Sequence, residues 1–251
     1  MIVSDAKCKV LSVDIGGSRI KATVLDIQGT MLREYVRIDT PSSGIPADII
    51  KAIQQLTADF EAYDYVSVGF PGYIKNGVVY TAPNLGTSKW QGVALAKLLV
   101  TTLGKPVRLL NDADMQGLGI VNGKGLELVV TLGTGFGTAF LMDGNLLPHF
   151  EIAHHPISKD RTYDEYIGEQ ALEDVGEERW NKRVKKVIAI LKTVFNYDHL
   201  YLGGGNAKKI SFRLDDNMSI VTNKDGIKGG ARLWQKNDDY CVTSFHSENE
   251  K

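Results

Sequence analysis

The sequence predicts an α/β protein built as two related lobes, each with a mixed sheet, with a cleft between them. Three observations predict it. The chain opens with three short hydrophobic stretches joined by turns, then alternates helix-length with strand-length segments. A hydrophobic strand, a glycine-rich turn and a returning strand occur twice, near Val10 and again near Leu126. Finally, 251 residues with 43% hydrophobic and 24% charged content suffice for one large domain or two ordinary ones with packed cores. The expected boundaries are an N-terminal lobe over 1–121 and a C-terminal lobe over 122–225. A helix over 226–236 returns to the first lobe, and a polar, loosely held tail runs over 237–251.

The first unit is read from residues 10–26. Val10–Ile15 is a strand, Gly16-Gly17-Ser18-Arg19 a tight turn, and Ile20, Ala22 and Val24 alternate with Lys21 and Thr23 in a second strand. Glycine lets backbone approach a ligand closely, and successive N–H groups there can face a phosphate. Asp14 beside them is a candidate for Mg²⁺, directly or through water. An ordinary hairpin fits the same residues. Thr30–Ile38 completes a meander, Pro41–Pro46 is a loop, and Ala47–Ala62 carries apolar residues at helical spacing. Val66–Phe70 is a buried strand ending at Pro71-Gly72, and Asn76-Gly77 turns between Ile74 and Val78–Tyr80. After Pro83-Asn84-Leu85-Gly86 comes a helix over Gly92–Leu103, then a strand over Pro106–Leu110. That strand ends in Asn111-Asp112-Ala113-Asp114, which opens a helix of about two turns.

The pattern then restarts. Leu126–Leu132 is a strand, Gly133-Thr134-Gly135-Phe136-Gly137 a turn, and Thr138–Met142 a strand. Asp143-Gly144 leads to Asn145–Leu147. Residues 163–195 are helical and charged, Leu200–Leu202 closes on Gly203-Gly204-Gly205, Ser219–Thr222 is a short strand, and Gly226–Gln235 is the last helix.

Five groups of residues carry candidate chemistry. Gly16, Gly17 and Ser18 in one turn, and Gly133, Thr134, Gly135 and Gly137 in the other, are phosphate candidates. Asp112 lies at the carboxyl end of an apolar strand, where open α/β sheets place their ligands, and a carboxylate there can take a proton from an attacking hydroxyl. Capping of the next helix by Asp112 or Asp114 competes with that role, and Asn111 serves either a sugar hydroxyl or the same cap. Glu151 and His154, three apart, can reach one polyol together, whereas a metal reading lacks the histidine pair of a zinc helix. Gly204 and Gly205, before Lys208-Lys209, form a third anion-facing turn or a close-packing turn. Arg179, Lys182, Arg183, Lys185, Lys186 and Lys192 make either a solvated helix face or a track for a polyanion.

In order, D-x-G-G-x-x-x-K, P-N-L, L-N-D-A-D, L-G-T-G-x-G, E-x-x-H and G-G-G resemble the ROK family of sugar kinases over most of residues 10–235, and within it the polyphosphate glucokinase branch. The resemblance implies an actin-like, ribonuclease H-like two-lobed ATPase fold with glucose or a related hexose in the cleft. It implies Asp112 as the base for the sugar 6-hydroxyl, and Asn84, Asn111, Glu151 and His154 on the other hydroxyls. Gly16, Gly17, Ser18, Lys21, Gly133, Thr134, Gly135, Gly204 and Gly205 would serve the phosphates of polyphosphate or ATP, with Asp14 near Mg²⁺. A homodimer is the family habit. The family's cysteine zinc cluster is absent from the sequence, and Ala153 replaces the glycine of E-x-G-H. The rival readings are an ATP-dependent hexose or N-acetylhexosamine kinase, a sugar-binding pseudokinase and a sugar-sensing repressor.

The net charge of −1 argues against a dedicated nucleic-acid binder. Cys8 and Cys241 offer neither a disulfide framework nor metal-ligand spacing, which suits a reducing cytosol. No signal segment or membrane-length apolar run is present in the sequence, so the expectation is a cytoplasmic protein.

Overall fold

The opening apolar run forms β1 (Lys9–Ile15), and its neighbours explain why it is hydrophobic on both faces. β2 (Arg19–Asp26) pairs antiparallel with β1, and β3 (Val36–Asp39) with β2. Leu11, Val13 and Ile15 pack with Ile49 and Ile53 of α1 (Pro46–Thr57), while Val10 packs with Trp234 on the other face. The chain then forms β4 (Tyr65–Phe70), the hairpin β5 (Ile74–Lys75) and β6 (Val78–Val79), α2 (Thr87–Trp90) and α3 (Leu95–Leu103). β7 (Val107–Asn111) runs directly into α4 (Asp112–Ile120). The computed structural model describes residues 2, 3 and 5–247, and these divide into two units. The first holds the described residues of Met1–Gly119 and Ile227–Lys251, the second Ile120–Gly226.

In the first unit one sheet has the order β15-β7-β4-β1-β2-β3, β15 being Ser244–Phe245. β1, β4 and β7 are parallel, so their carboxyl ends, Asp14, Phe70 and Asn111, lie along one edge. α8 (Gly229–Arg232) covers the face opposite α1, where Ser67 Oγ donates to Gly230 O at 2.6 Å.

The second unit repeats the plan. β8 (Leu126–Leu132), β9 (Phe136–Met142) and β10 (Asn145–Leu146) form an antiparallel meander. After the small ladder of β11 (Pro156–Ser158) and β12 (Arg161–Thr162) come α5 (Tyr163–Ile167) and α6 (Glu169–Phe195). β13 (His199–Gly203) then pairs parallel to β8, and β14 (Met218–Ile220) parallel to β13, before α7 (Asn223–Gly226). Trp180 of α6 is fully buried among Leu128, Phe140 and Tyr163 and donates to Ile167 O at 2.8 Å.

Several elements depart from the sequence expectation. The third strand is only Val36–Asp39, because Gly29 at φ +88° turns the chain and residues 31–35 leave the ladder after one bridge, Leu25 to Met31. The helix expected from Ala47 to Ala62 ends at Thr57, whose hydroxyl bonds Ile53 O. The helix expected from Gly92 begins at Leu95, since Gly92 is at φ +81° and donates to Val79 O instead. The long charged helix breaks at Gly176, at φ 74° and ψ 165°. The last helix is one α turn, α8, followed by a 3₁₀ turn over Leu233–Gln235.

The tail is the largest correction. Ser244–Phe245 forms β15, antiparallel to β7. Arg108 of β7, fully buried, donates to Leu233 O, to Lys236 O at 3.0 Å, to Asp238 Oδ1 at 2.7 Å and to Ser244 Oγ at 2.9 Å. A buried cation needs acceptors, and here the polar tail supplies them. Residues 248–251 of the expected tail lie outside the described residues.

Candidate active site

In the first unit the site assembles around Gly69. Asp14 of β1 is paired with Gly69 of β4 in the ladder. On its other side Gly69 faces the start of α4, where a Cβ built on it would stand 3.3 Å from Asp112 Cα and 3.6 Å from Asp112 Cβ. Its missing side chain therefore lets Asp112 seat against the sheet edge beside Asp14.

Asn111 caps α4. Its Oδ1 accepts from Ala113 N at 2.8 Å and Asp114 N at 3.3 Å, and its Nδ2 donates to Gly72 O at 3.3 Å. Asn111 thus takes the cap, one of its two expected roles, and Asp112 Oδ1 also accepts from Ala113 N at 2.9 Å. An amide carries two N–H donors, and one of them is used here.

The first glycine turn is closed by Gly16 N to Arg19 O at 2.9 Å and braced by Thr40, whose hydroxyl donates to Gly16 O at 2.7 Å. Gly17 and Ser18 are exposed. A Cβ on Gly17 would meet Asn84 Cβ at 2.9 Å, so the turn and Asn84 touch. Lys21 Nζ lies 3.4 Å from Asp14 Oδ2. Burial raises the Asp14 carboxyl above its usual value, and Lys21 opposes that shift. Arg19 points to Asp39 at 3.6 Å.

The second unit brings together the other two turns. Gly133 N donates to Gly135 O at 3.1 Å, and Thr134 is exposed. Gly204, at φ +85°, sits where a Cβ would fall 2.3 Å from Leu132 O. Only glycine allows this approach, and it lets Asn206 bond Leu132 O at 2.9 Å and Gly133 O at 3.3 Å. No heavy atom lies within 4 Å of a Cβ built on Gly133 or on Gly205.

Glu151 and His154 form a separate group with a third member, His149. Glu151 Oε1 is 3.6 Å from His149 Nε2, and Oε2 is 3.8 Å from His154 Nε2. The single turn α5 touches both groups. Tyr163 N donates to His155 O at 3.1 Å, and Asp164 Oδ1 accepts from Phe136 N at 2.7 Å.

Sequence reasoning missed Gly69, His149 and Asp164. For Asp164 a signal existed. Thr162-x-x-Glu165 is a capping box, observed with both bonds formed, and it marks the start of α5.

The ROK family model matches residues 10–155. A polyphosphate glucokinase of Mycobacterium tuberculosis is 30% identical over 211 residues, 78% of this chain and 77% of that one. The chain belongs to the ROK family. Among solved ROK-type structures, the inorganic polyphosphate/ATP-glucomannokinase of Arthrobacter sp. strain KM superposes with a TM-score of 0.81 at 31% identity, covering 91% of this chain and 98% of that one. A ROK family glucokinase from Streptomyces griseus, solved with glucose and AMPPNP, gives 0.73 at 20% identity, with 90% and 98% covered, and supports the fold. These neighbours place the chain in the actin-like ATPase fold.

For a ROK chain, the donor set for a metal is spare. Among the described residues no three His, Cys, Asp or Glu side chains cluster as metal ligands. One carboxylate, Asp14, beside exposed backbone amides suits Mg²⁺, which keeps water and takes phosphate oxygens. Among the described residues no helix is long and apolar enough to cross a membrane.

Proposed function

We propose that this protein is a sugar kinase that transfers a phosphoryl group from inorganic polyphosphate, and also from ATP, to the 6-hydroxyl of glucose. The observation that carries the reading is Asp112 seated at the carboxyl edge of the sheet against Gly69, beside Asp14, in a chain related to polyphosphate glucokinases.

In this reaction Asp112 takes the hydroxyl proton as the sugar oxygen attacks the donor's terminal phosphorus. The phosphoanhydride bond breaks, and the donor leaves one phosphate shorter. Asn84, Asn111, Glu151 and His154 hold the remaining sugar hydroxyls. The amides of Gly17, Gly135, Gly204 and Gly205, with the hydroxyls of Ser18 and Thr134, receive the phosphate oxygens, Gly16 and Gly133 close the turns that present them through their own N–H bonds to Arg19 O and Gly135 O, and Lys21 adds positive charge. Asp14 would hold a divalent cation, Mg²⁺ in this reading, which when bound neutralises charge on the donor. Phosphoryl transfer asks for positioning and charge stabilisation, and rigid turns supply both. A cytoplasmic homodimer is part of the same reading, and light scattering tests the dimer.

One observation favours ATP as the main donor. Lys182 and Lys192 are paired with Glu178 and Asp215 at 2.7 and 2.8 Å, which cancels part of the basic run. The test is glucose 6-phosphate formation from glucose and Mg²⁺ with long-chain polyphosphate or ATP. Turnover with polyphosphate supports the proposal. Turnover with ATP alone replaces it with an ATP-dependent hexose or N-acetylhexosamine kinase. Turnover with neither, across a panel of sugars, refutes kinase activity.

A further inference from the structure

The basic residues of α6 and of the segment after β13 do not form one uniform surface. Lys182 and Lys192 are neutralised as just described, and Arg183 and Lys186 lie over the Tyr166 ring at 4.8 and 5.7 Å. A different set stands where the third glycine turn ends. The 3₁₀ turn Ala207–Lys209 follows Gly204-Gly205-Asn206 directly, so Lys208 and Lys209 flank the turn that Asn206 ties to Gly133. Asn181, buried in α6, ties that segment to the helix: its Nδ2 donates to Lys209 O at 2.9 Å, and its Oδ1 accepts from Ser211 N at 2.8 Å. Lys185 is one helical turn further along the same face. Among the described residues no carboxylate lies within ion-pair distance of Lys208 or Lys209, while Lys185 shares the field of Asp215 with Lys192 and Arg213. Lys208 and Lys209 therefore stand just beyond the third glycine turn on a segment whose backbone a buried amide ties to α6, the helix that carries Lys185.

We propose that Lys208, Lys209 and Lys185 form an outer track for a condensed phosphate chain, gripping phosphates beyond the one being transferred. The inference rests on the polyphosphate reading above. A linear polyanion carries a charge on every unit, so cations placed beyond a phosphate-facing turn hold a long chain more tightly than a short one. Tyr166, beside α6's basic run, is already covered by Arg183 and Lys186, which denies a base that stacking platform.

The test compares K208A/K209A with the parent protein, using long-chain polyphosphate and inorganic tripolyphosphate as donors. Each exposed charge contact is modest, so the ratio of kcat/KM for the long donor to that for the short one should fall about five- to tenfold. K185A should lower the ratio less, and K208R/K209R should keep it. K182A, whose lysine is already paired, serves as the control and should leave the ratio where it was. An unchanged ratio in K208A/K209A, with the parent active on polyphosphate, refutes the track alone. A parent active with ATP but inert to polyphosphate refutes the donor reading and the track with it. A single-stranded RNA oligonucleotide that competes as strongly as polyphosphate, and loses that power in K208A/K209A, would reassign the row to nucleic acid.

Discussion

Gly69→Ala tests whether the geometry of Asp112 depends on a missing side chain. The added methyl would meet two atoms. Met115 Cε, at 2.9 Å, is the end of a flexible side chain and can rotate away. Asp112 Cα, at 3.3 Å, is backbone, so the first turn of α4 must retreat by a few tenths of an ångström. Overpacking of this kind costs about 1–3 kcal/mol of stability. A displacement of 1 Å at a reacting group can cost about a hundredfold in rate, so a shift of a few tenths should lower kcat by about 4- to 10-fold. The assay is steady-state kinetics with glucose, with thermal unfolding run in parallel. Met115→Ala in the same chain removes the softer clash, so G69A/M115A should show what Asp112 alone contributes: kcat should stay low although the methyl contact is relieved. A G69A enzyme with parental kcat would show that Asp112 is not seated by Gly69, and would sink the assignment of this edge as the reaction centre.

Asp112→Asn should reduce kcat by about 10²–10⁴-fold while glucose binding, read by calorimetry, persists. Asp164→Ala frees the Phe136 N–H and loosens the second glycine turn, so KM for the phosphate donor should rise about tenfold with little change in KM for glucose. Arg108→Met removes the guanidinium bonds to Asp238 and to the carbonyls of Leu233 and Lys236, although Asp238 keeps those from Ser244 N and Oγ, and should destabilise the protein by about 3 kcal/mol in urea unfolding. Asp14→Asn should do the opposite. Burial raises the Asp14 carboxyl, so its ionised form costs stability above the usual carboxylate range, and that cost vanishes as pH falls below about 4. Its melting temperature should exceed the parent's at pH 7 and match it at acid pH, while activity falls. A lower melting temperature at pH 7 would overturn that account.

Local chemistry made much of this legible. The two glycine turns announce themselves because glycine pairs interrupt alternating strands, and Asp112 because it ends an apolar run before a good helix start. What stayed hidden depends on contacts between distant segments. Gly69 reads as a weak point in a strand, and only the packing of α4 gives it a purpose. The C-terminal stretch reads as loose because its polarity matches solvent, yet its polar groups answer a cation buried in β7. The 31–35 stretch has strand composition, but after the Gly29 turn it keeps only the Leu25–Met31 bridge before it leaves the ladder.

The Arg108 acceptors also set an order of events during synthesis. The second unit is one continuous stretch, whereas the first is closed by residues after Ile227, among them the carbonyls of Leu233 and Lys236 and the side chains of Asp238 and Ser244. On a ribosome the N-terminal sheet therefore waits, with a cation on its edge strand β7 and its folded-state acceptors still to come, until residues 233–244 have been made. A nascent chain halted before codon 233 would hold a complete second unit and an unfinished first one. Quality-control proteases would meet premature termination products of this gene with their β7 edge still open.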